Sequence, residues 1–308
     1  ATAKAKCTVN KNITLYAVQK KAVQLTFHRC DGSTWQKTTL AKGSSYSLPG
    51  VRDAEGYTFM GWSTKPMQSV SPQYEAEEKI TVNGNVDLYA VVFNRTTETD
   101  LTEDQLPQVD IYKYKQVIFV GDSRTEFMEN VLTGMGESAT KNVKFVCSAG
   151  KGLDWFTTTG WAQLYSIVQH DSNSILSKKT AVIFNFGVND LSKSADYAEY
   201  YNWIAPQLKS KGCELYFMSV NPVNRLMLPN AGRADRSEAA VRSFNQYMKA
   251  NLSSAYTYID MYSYLKSTGY SFASDHYGTG TVDDGLHYTT RTYKRIFAKC
   301  MDSLRVPA

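Results

Sequence analysis

Val117-Ile-Phe-Val-Gly-Asp-Ser123-Arg-Thr125 is an apolar run that ends abruptly in a glycine and two small polar residues before a helical pattern begins. Four bulky apolar residues in succession, without polar alternation, predict a strand covered on both faces, as in a parallel sheet wrapped in helices. The turn into a helix then puts the Ser123 hydroxyl at the carboxyl edge of that sheet, where open α/β sheets bind ligands. The helix points its free amides and partial positive charge at the same spot, which favours a nucleophilic oxygen and a developing anion. A lone serine here also reads as an ordinary helix N-cap, so its chemistry has to be argued from the rest of the chain.

Downstream, the same kind of run recurs at Val143–Cys147, Ala181–Phe186, Leu215–Val220 and Tyr256–Ile259. Between the strands lie helical stripes: Tyr197, Tyr200, Tyr201, Ile204 and Leu208; Ala240, Val241, Phe244 and Met248; and Tyr293, Ile296, Phe297, Cys300 and Leu304. These tyrosine and methionine stripes read as core packing rather than a cofactor box. Five strands alternating with helices predict a doubly wound α/β domain over residues 111–308. Upstream the period changes to two. Val23–Phe27 and Val86–Phe93 alternate as strands, and Asp31-Gly32, Pro49-Gly50 and Asn83-Gly84 punctuate them as turns. The polar stretch from Asn94 to Pro107 has no sustained apolar period, so the chain divides into a β-rich domain at 1–95, a linker at 96–110 and the α/β domain.

Composition narrows the functional classes. With 308 residues, 43% hydrophobic and 20% charged, the chain buries a real core and is not disordered as a whole. No apolar run approaches the roughly 20 residues that span a bilayer. The net charge of +5 is mild, and no basic cluster exceeds pairs such as Lys178-Lys179, so nucleic acid is not an expected partner. Five cysteines without a CxxC pair indicate neither a zinc knuckle nor a disulfide scaffold; Cys7 and Cys30 are the one pair considered for an oxidising compartment. Histidines and acids do not cluster at metal-ligand spacing, so no metal is expected. The opening Ala-Thr-Ala-Lys lacks an initiator methionine, which suggests a processed or trimmed fragment from which any signal peptide is absent.

The far end of the chain gives Ser123 a partner. Asp284-Gly-Leu-His287 sets a carboxylate three residues before an imidazole. A serine hydroxyl reacts only when a base takes its proton, and that base must be held in one tautomer by an acceptor on its other nitrogen. Asp284 can reach Nδ1 of His287 and leave Nε2 free for Ser123. The remaining histidines are poorer: His28 lies outside the α/β domain, and His170 and His276 have no carboxylate at that spacing. Asp283 is the alternative carboxylate. Two further strand ends offer donors for an oxyanion: the loop Ser148-Ala-Gly150-Lys-Gly152-Leu-Asp154 through a glycine amide, and Gly187-Val-Asn189-Asp190 through the neutral Asn189 side chain.

Those four blocks, Gly121-Asp-Ser123, the Gly150/Gly152 loop, Gly187-Val-Asn189-Asp and Asp284-Gly-Leu-His287, resemble the blocks of the SGNH or GDSL-type hydrolase superfamily in order and position over residues 116–304. The resemblance implies a flavodoxin-like α/β/α three-layer sandwich with a five-stranded parallel sheet and esterase, lipase or acyltransferase activity without a cofactor. It implies Ser123 as nucleophile, His287 as general base and then acid, and Asp284 as its orienting carboxylate. The oxyanion hole would combine the Ser123 amide, a loop glycine amide and the Asn189 side chain. The residue pattern Leu153-Asp154 favours Gly152 for the glycine, with Gly150 the alternative. Arg124 stands where the family carries leucine, either as a structural salt bridge or as a contact to an anionic substrate group. Asp154, Trp155, Asn224 and Arg225 lie in loops after strands and are candidates for the substrate pocket.

Upstream, Val23–Phe27, Asp31-Gly32, Gly56-Tyr-Thr-Phe-Met-Gly-Trp62 and Val86-Asp-Leu-Tyr-Ala90 resemble the internalin-type B repeat, also called the Listeria–Bacteroides repeat, of bacterial surface proteins. The likeness covers residues 8–95, with Asn12-Ile-Thr-Leu-Tyr-Ala-Val18 as the closing strand of a preceding truncated copy (8–18). It implies a small β-grasp-like module that spaces or attaches other domains and carries no chemistry, with cell-wall or surface components as its expected partners. Taken together, the expectation is a secreted or cell-surface serine esterase that removes short acyl groups, acetyl foremost, from a small molecule or polysaccharide. An O-acyltransferase with the same triad, or a surface binding protein whose hydrolase-like domain is inactive, are the competing readings.

Overall fold

The computed structural model describes residues 21–110, 113–170, 179–228, 236–273 and 284–304. The truncated repeat copy at 8–18 and the Cys7 half of the Cys7–Cys30 pair lie outside them, as do His276 and Asp283. Among the described residues no helix is long and apolar enough to cross a membrane.

The amino-terminal module is built from β1 (Ala22–His28), β2 (Thr34–Ala41), β3 (Ser44–Ser47), β4 (Tyr57–Ser63), β5 (Lys79–Val82) and β6 (Val86–Asn94). A mixed sheet runs β2-β1-β6-β4, with β1 and β6 parallel in the middle and antiparallel neighbours outside, and β3 pairs with β5 alongside. Alternation does what the sequence predicts: Val23, Leu25, Phe27, Phe59, Trp62 and Leu88 turn inward into one small core. The Phe27 and Trp62 rings meet edge-on at 4.9 Å there.

The second part contains β7 (Tyr114–Gly121), α1 (Ser123–Met135), β8 (Val143–Cys147), α2 (Trp161–His170), β9 (Lys179–Asn185), α3 (Ser194–Ser210), β10 (Cys213–Met218), α4 (Glu238–Asn251), β11 (Tyr256–Ile259), α5 (Met261–Thr268) and α6 (Thr290–Ser303). All five strands expected from the apolar runs form. They make one all-parallel sheet in the order β11-β10-β9-β7-β8, covered by helices on both faces. One apolar layer holds Tyr197, Tyr201, Ile204, Leu208, Val241, Phe244 and Met248, the other Tyr293, Ile296, Phe297, Cys300 and Leu304, so the three stripes do pack as core. The chain passes from β7 outward to β8 and then returns to the other side of β7 as β9. That reversal is the topological switch point, and open α/β sheets bind ligands beyond the carboxyl ends of the strands flanking such a point. Ser123 follows β7 and Asn189 follows β9.

The polar stretch 96–110 connects the two parts, yet it is not a loose tether. Leu106 and Val109 are buried in the α6-side core, and Glu98 is buried against α6, with Arg295 Nη1 3.0 Å from its Oε1 and Ser271 Oγ 2.5 Å from its Oε2. The repeat itself is joined to the sheet domain: Met60, Val91 and Phe93 belong to the same apolar cluster as Leu265, Tyr270 and Phe297. Gly269 allows the approach, since a Cβ there would lie 2.2 Å from the Phe93 ring. Beside this contact Lys266 is buried between Glu75 of the repeat (2.8 Å) and Glu238 of α4 (3.0 Å). The lack of an apolar period at 96–110 misleads because these contacts are single anchoring residues rather than a repeating face.

Candidate active site

The exit from β7 is sterically exacting. A Cβ at Gly121 would sit 1.9 Å from Thr125 Oγ1, so only glycine lets the strand turn straight into α1. Asp122 is the N-cap: its carboxylate accepts from the Arg124 amide at 3.0 Å, and its carbonyl accepts from the amides of Thr125 and Glu126. The capping role therefore falls on Asp122 and not on Ser123, whose hydroxyl is left for other partners. Burial raises the Asp122 carboxyl to about 6, with the neighbouring Arg124 opposing the rise.

Ser123 Oγ lies 2.8 Å from His287 Nε2, and His287 Nδ1 lies 2.6 Å from Asp284 Oδ2. Residues 161 and 164 positions away in the chain are thus brought to the first helical residue after β7, and all three side chains are buried. The turn that carries the pair has a physical reason. Gly285 adopts φ +67°, and a Cβ on it would fall 2.4 Å from the Asn224 carbonyl oxygen. The tight turn lets Asp284 Oδ1 accept from the amides of Leu286 (2.8 Å) and His287 (2.7 Å) while Oδ2 holds the imidazole. A carboxylate on Nδ1 selects the tautomer with its proton there, which leaves the Nε2 lone pair facing the serine. Phe127 of α1 closes the imidazole from one side, edge to face at 4.5 Å. An arrangement of this kind can take a proton from the hydroxyl as its oxygen attacks a carbonyl.

The two donor loops adjoin one another. Asn189 Nδ2 donates to the Lys151 carbonyl at 2.8 Å, which sets the Asn189 amide beside Gly152, and one of its two N–H groups remains for another acceptor. The backbone amides of Ser123 and Gly152 bond to no acceptor among the described residues. Gly152 must be glycine, because a Cβ would lie 2.3 Å from Asp190 Oδ2.

Two residues that the sequence reading missed organise this side. Arg236 donates from Nη2 to Asn189 Oδ1 at 2.7 Å and from Nε to the Val188 carbonyl at 3.0 Å, which fixes the Asn189 amide with its nitrogen as the free donor. Asp190 accepts from the Leu153 amide (2.9 Å) and the Tyr197 hydroxyl (2.7 Å) and so ties the two loops together; burial raises its carboxyl. Nothing local marks Arg236, which is 47 residues from its partner, whereas Asp190 stands inside a block already singled out.

The remaining substrate candidates are placed elsewhere. Arg124 is buried and forms no salt bridge among the described residues: Nε, Nη1 and Nη2 donate to the carbonyls of Leu286, Asn221 and Pro222 at 2.9–3.0 Å, and its guanidinium lies over the Tyr288 ring. Both readings of Arg124 are therefore corrected, since its planar fork ties together two loop segments, one after β10 and one in the turn at 284–288. Asn224 and Arg225 face the repeat. The Asn224 amide donates to the Val51 carbonyl and to Asp53 Oδ1, and Arg225 Nε is 3.1 Å from Glu77 Oε1. Trp155 packs on the core next to Phe186, at 6.0 Å between ring centroids. Asp154 is exposed and paired with Lys193 at 2.9 Å.

Residues 117–300, more than half of the chain, match the family model described as GDSL-like Lipase/Acylhydrolase. The chain belongs to that family. It is a serine hydrolase of the SGNH/GDSL type that acts on carboxylic ester bonds. Residues 24–91 match the model of the Listeria-Bacteroides repeat domain. No curated protein matches the chain. Among solved structures, a putative acylhydrolase from Bacteroides fragilis is similar at 16% identity, covering 65% of this chain and 92% of its own, with a TM-score of 0.43. The acetylxylan esterase Axe2 from Geobacillus stearothermophilus is similar at 11% identity, covering 63% and 96%, with a TM-score of 0.39. The catalytic domain of the Streptococcus pneumoniae peptidoglycan O-acetyltransferase A is similar at 15%, covering 62% and 92%, with a TM-score of 0.38. These three are distant likenesses.

Proposed function

We propose that this hydrolase is a secreted or cell-surface esterase that removes short acyl groups, acetyl foremost, from carbohydrate hydroxyls, with Ser123, His287 and Asp284 as its triad. The observation that carries the reading is the hydrogen-bonded chain from Ser123 Oγ through the imidazole to Asp284, at 2.8 and 2.6 Å. Ser123 Oγ attacks the acyl carbonyl while its proton passes to His287 Nε2. The oxygen that becomes negative takes hydrogen bonds from the Ser123 amide, the Gly152 amide and Asn189 Nδ2. Collapse breaks the ester bond, His287 returns the proton to the leaving alcohol, and an acyl-Ser123 remains. Water, deprotonated by His287, then releases the carboxylic acid. The burial of Ser123 supports a small acyl group, and the Listeria–Bacteroides repeat supports a place at the cell surface.

Turnover of p-nitrophenyl acetate by the wild type and by Ser123→Ala tests the reading. Wild-type turnover that Ser123→Ala abolishes is expected, together with a rate that falls as pH drops through the range in which an ordinary imidazole takes up a proton, about 6.5. Equal rates in both proteins, or a flat profile from about pH 5 to 8, overturn it. Acetylated oligosaccharides compared with longer acyl esters decide the substrate class, and added polyol that captures the acetyl group in place of water turns the reading into an O-acyltransferase.

A further inference from the structure

We propose that the Listeria–Bacteroides repeat is a working part of the active site: Asp53 of the repeat, acting through Asn224, positions the Asp284–His287 turn. The inference rests on the triad assigned above.

The path is short and made of hydrogen bonds. Asp53 has no exposed side-chain surface and is anchored within the repeat, its Oδ2 on Arg95 Nη2 at 2.7 Å and its Oδ1 on the Phe59 amide at 3.0 Å. The same Oδ1 accepts from Asn224 Nδ2 at 2.8 Å, and the Val51 carbonyl accepts the second Asn224 proton at 3.0 Å. Both donors of that amide are therefore spent on the repeat. On its backbone side Asn224 donates its amide to the Gly285 carbonyl at 2.8 Å, inside the turn that links the carboxylate to the imidazole. The Asn224 carbonyl also stands where a Cβ of Gly285 would be. Any shift of Asn224 is consequently a shift of the peptide between Asp284 and His287. Arg124 carries the other side of the turn from α1 through the Leu286 carbonyl, so the turn is gripped from the nucleophile's helix and from the repeat together. Misplacing a catalytic base by about 1 Å can cost on the order of 100-fold in rate, which is ample for a second-hand contact to matter.

Asn224→Ala removes the link to Asp53 and Val51, together with the local bond from the Leu226 amide to the Asn224 side chain, and keeps the backbone bond to Gly285. For p-nitrophenyl acetate, kcat falls about tenfold with KM nearly unchanged, and the acid limb of the kcat pH profile moves, because the geometry of the base has changed. Glu77→Gln serves as the control, since it weakens a different contact between the same two parts, the one to Arg225, and leaves kcat alone. Asp53→Asn retains an acceptor oxygen for Asn224 and recovers most of the wild-type rate, whereas Asp53→Ala does not. A loss of kcat in Glu77→Gln equal to that in Asn224→Ala overturns the proposal, because docking alone would then explain both; so does an Asn224→Ala enzyme with wild-type kcat and pH profile. Covalent labelling of Ser123 by a fluorophosphonate keeps the two readings apart. A wild type that neither labels nor turns over ester loses the triad, while a wild type that labels at Ser123, alongside an unaltered Asn224→Ala, loses only the role of the repeat.

Discussion

The two sides of the site are held in different ways. On the acid–base side, Asp284 and His287 are each 3% exposed, every oxygen of the carboxylate is bonded, and the turn is gripped by Arg124 and Asn224. On the donor side, Gly152 and Asn189 stand on half-exposed loops tied by Asp190 and Arg236; the Gly152 backbone amide bonds to no described acceptor, and the Asn189 side chain spends one N–H on the Lys151 carbonyl and keeps the other. The difference fits the work that the proposed triad and oxyanion hole would each do. A base needs one tautomer and one direction, which argues for rigid burial; an oxyanion hole needs donors left open for an oxygen that arrives with the substrate.

Substitutions that exchange one kind of support for another test that contrast. The largest effect is expected from Asp284→Asn, which preserves size but presents an N–H to Nδ1 and so favours the wrong tautomer. kcat falls about 10⁴-fold, measured with p-nitrophenyl acetate, and a loss below tenfold breaks the distinction. Next comes Asn189→Ala, with a loss of about 10²–10³ in kcat and little change in KM, because the missing bond forms mainly in the transition state. Arg236→Ala costs less, and in an Asn189→Ala background it costs nothing further, since it acts only through that amide. If Arg236→Ala and Asn189→Ala add fully, the donor side is not built as described.

The smallest effect concerns stability beneath Ser123. The Asp122 carboxyl is raised to about 6 in the folded chain, above the ordinary aspartate value near 3.9. A raised acid stabilises the fold below its unfolded value, and that contribution is lost as pH climbs through the folded one. Asp122→Asn cannot ionise and caps the helix as well as aspartate does. Its thermal midpoint relative to the wild type therefore rises between pH 4 and pH 7, by the equivalent of roughly 2 kcal/mol. A constant difference across that range removes the burial argument.

Much of this site is legible without coordinates, for identifiable reasons. Ser123, Gly152, Asn189, Asp284 and His287 each follow a strand or sit in a short glycine-bearing block, and local chain chemistry marks such places. Arg124 shows where legibility stops: a cation beside the nucleophile invites an anionic partner, but its actual partners are three carbonyls about 97–162 residues away, and carbonyls leave no trace in sequence. Asn224 and Arg225 fail for the same reason, because a polar loop after a strand looks alike whether it faces substrate or another module. The segment 96–110 reads as a linker since Glu98, Leu106 and Val109 are isolated anchors in a polar stretch.

By itself the chain determined the strand-and-helix alternation, the stripes that become core, the chemical blocks and their order, because these depend on side-chain periodicity and on residues close in sequence. Only the tertiary structure decided the strand order that puts the switch point between β7 and β9, the 2.8 Å meeting of Ser123 with His287, and the clasp of the repeat on the turn behind them. Those are long-range pairings, fixed by whole-molecule packing and by hydrogen bonds to backbone atoms that every residue type shares.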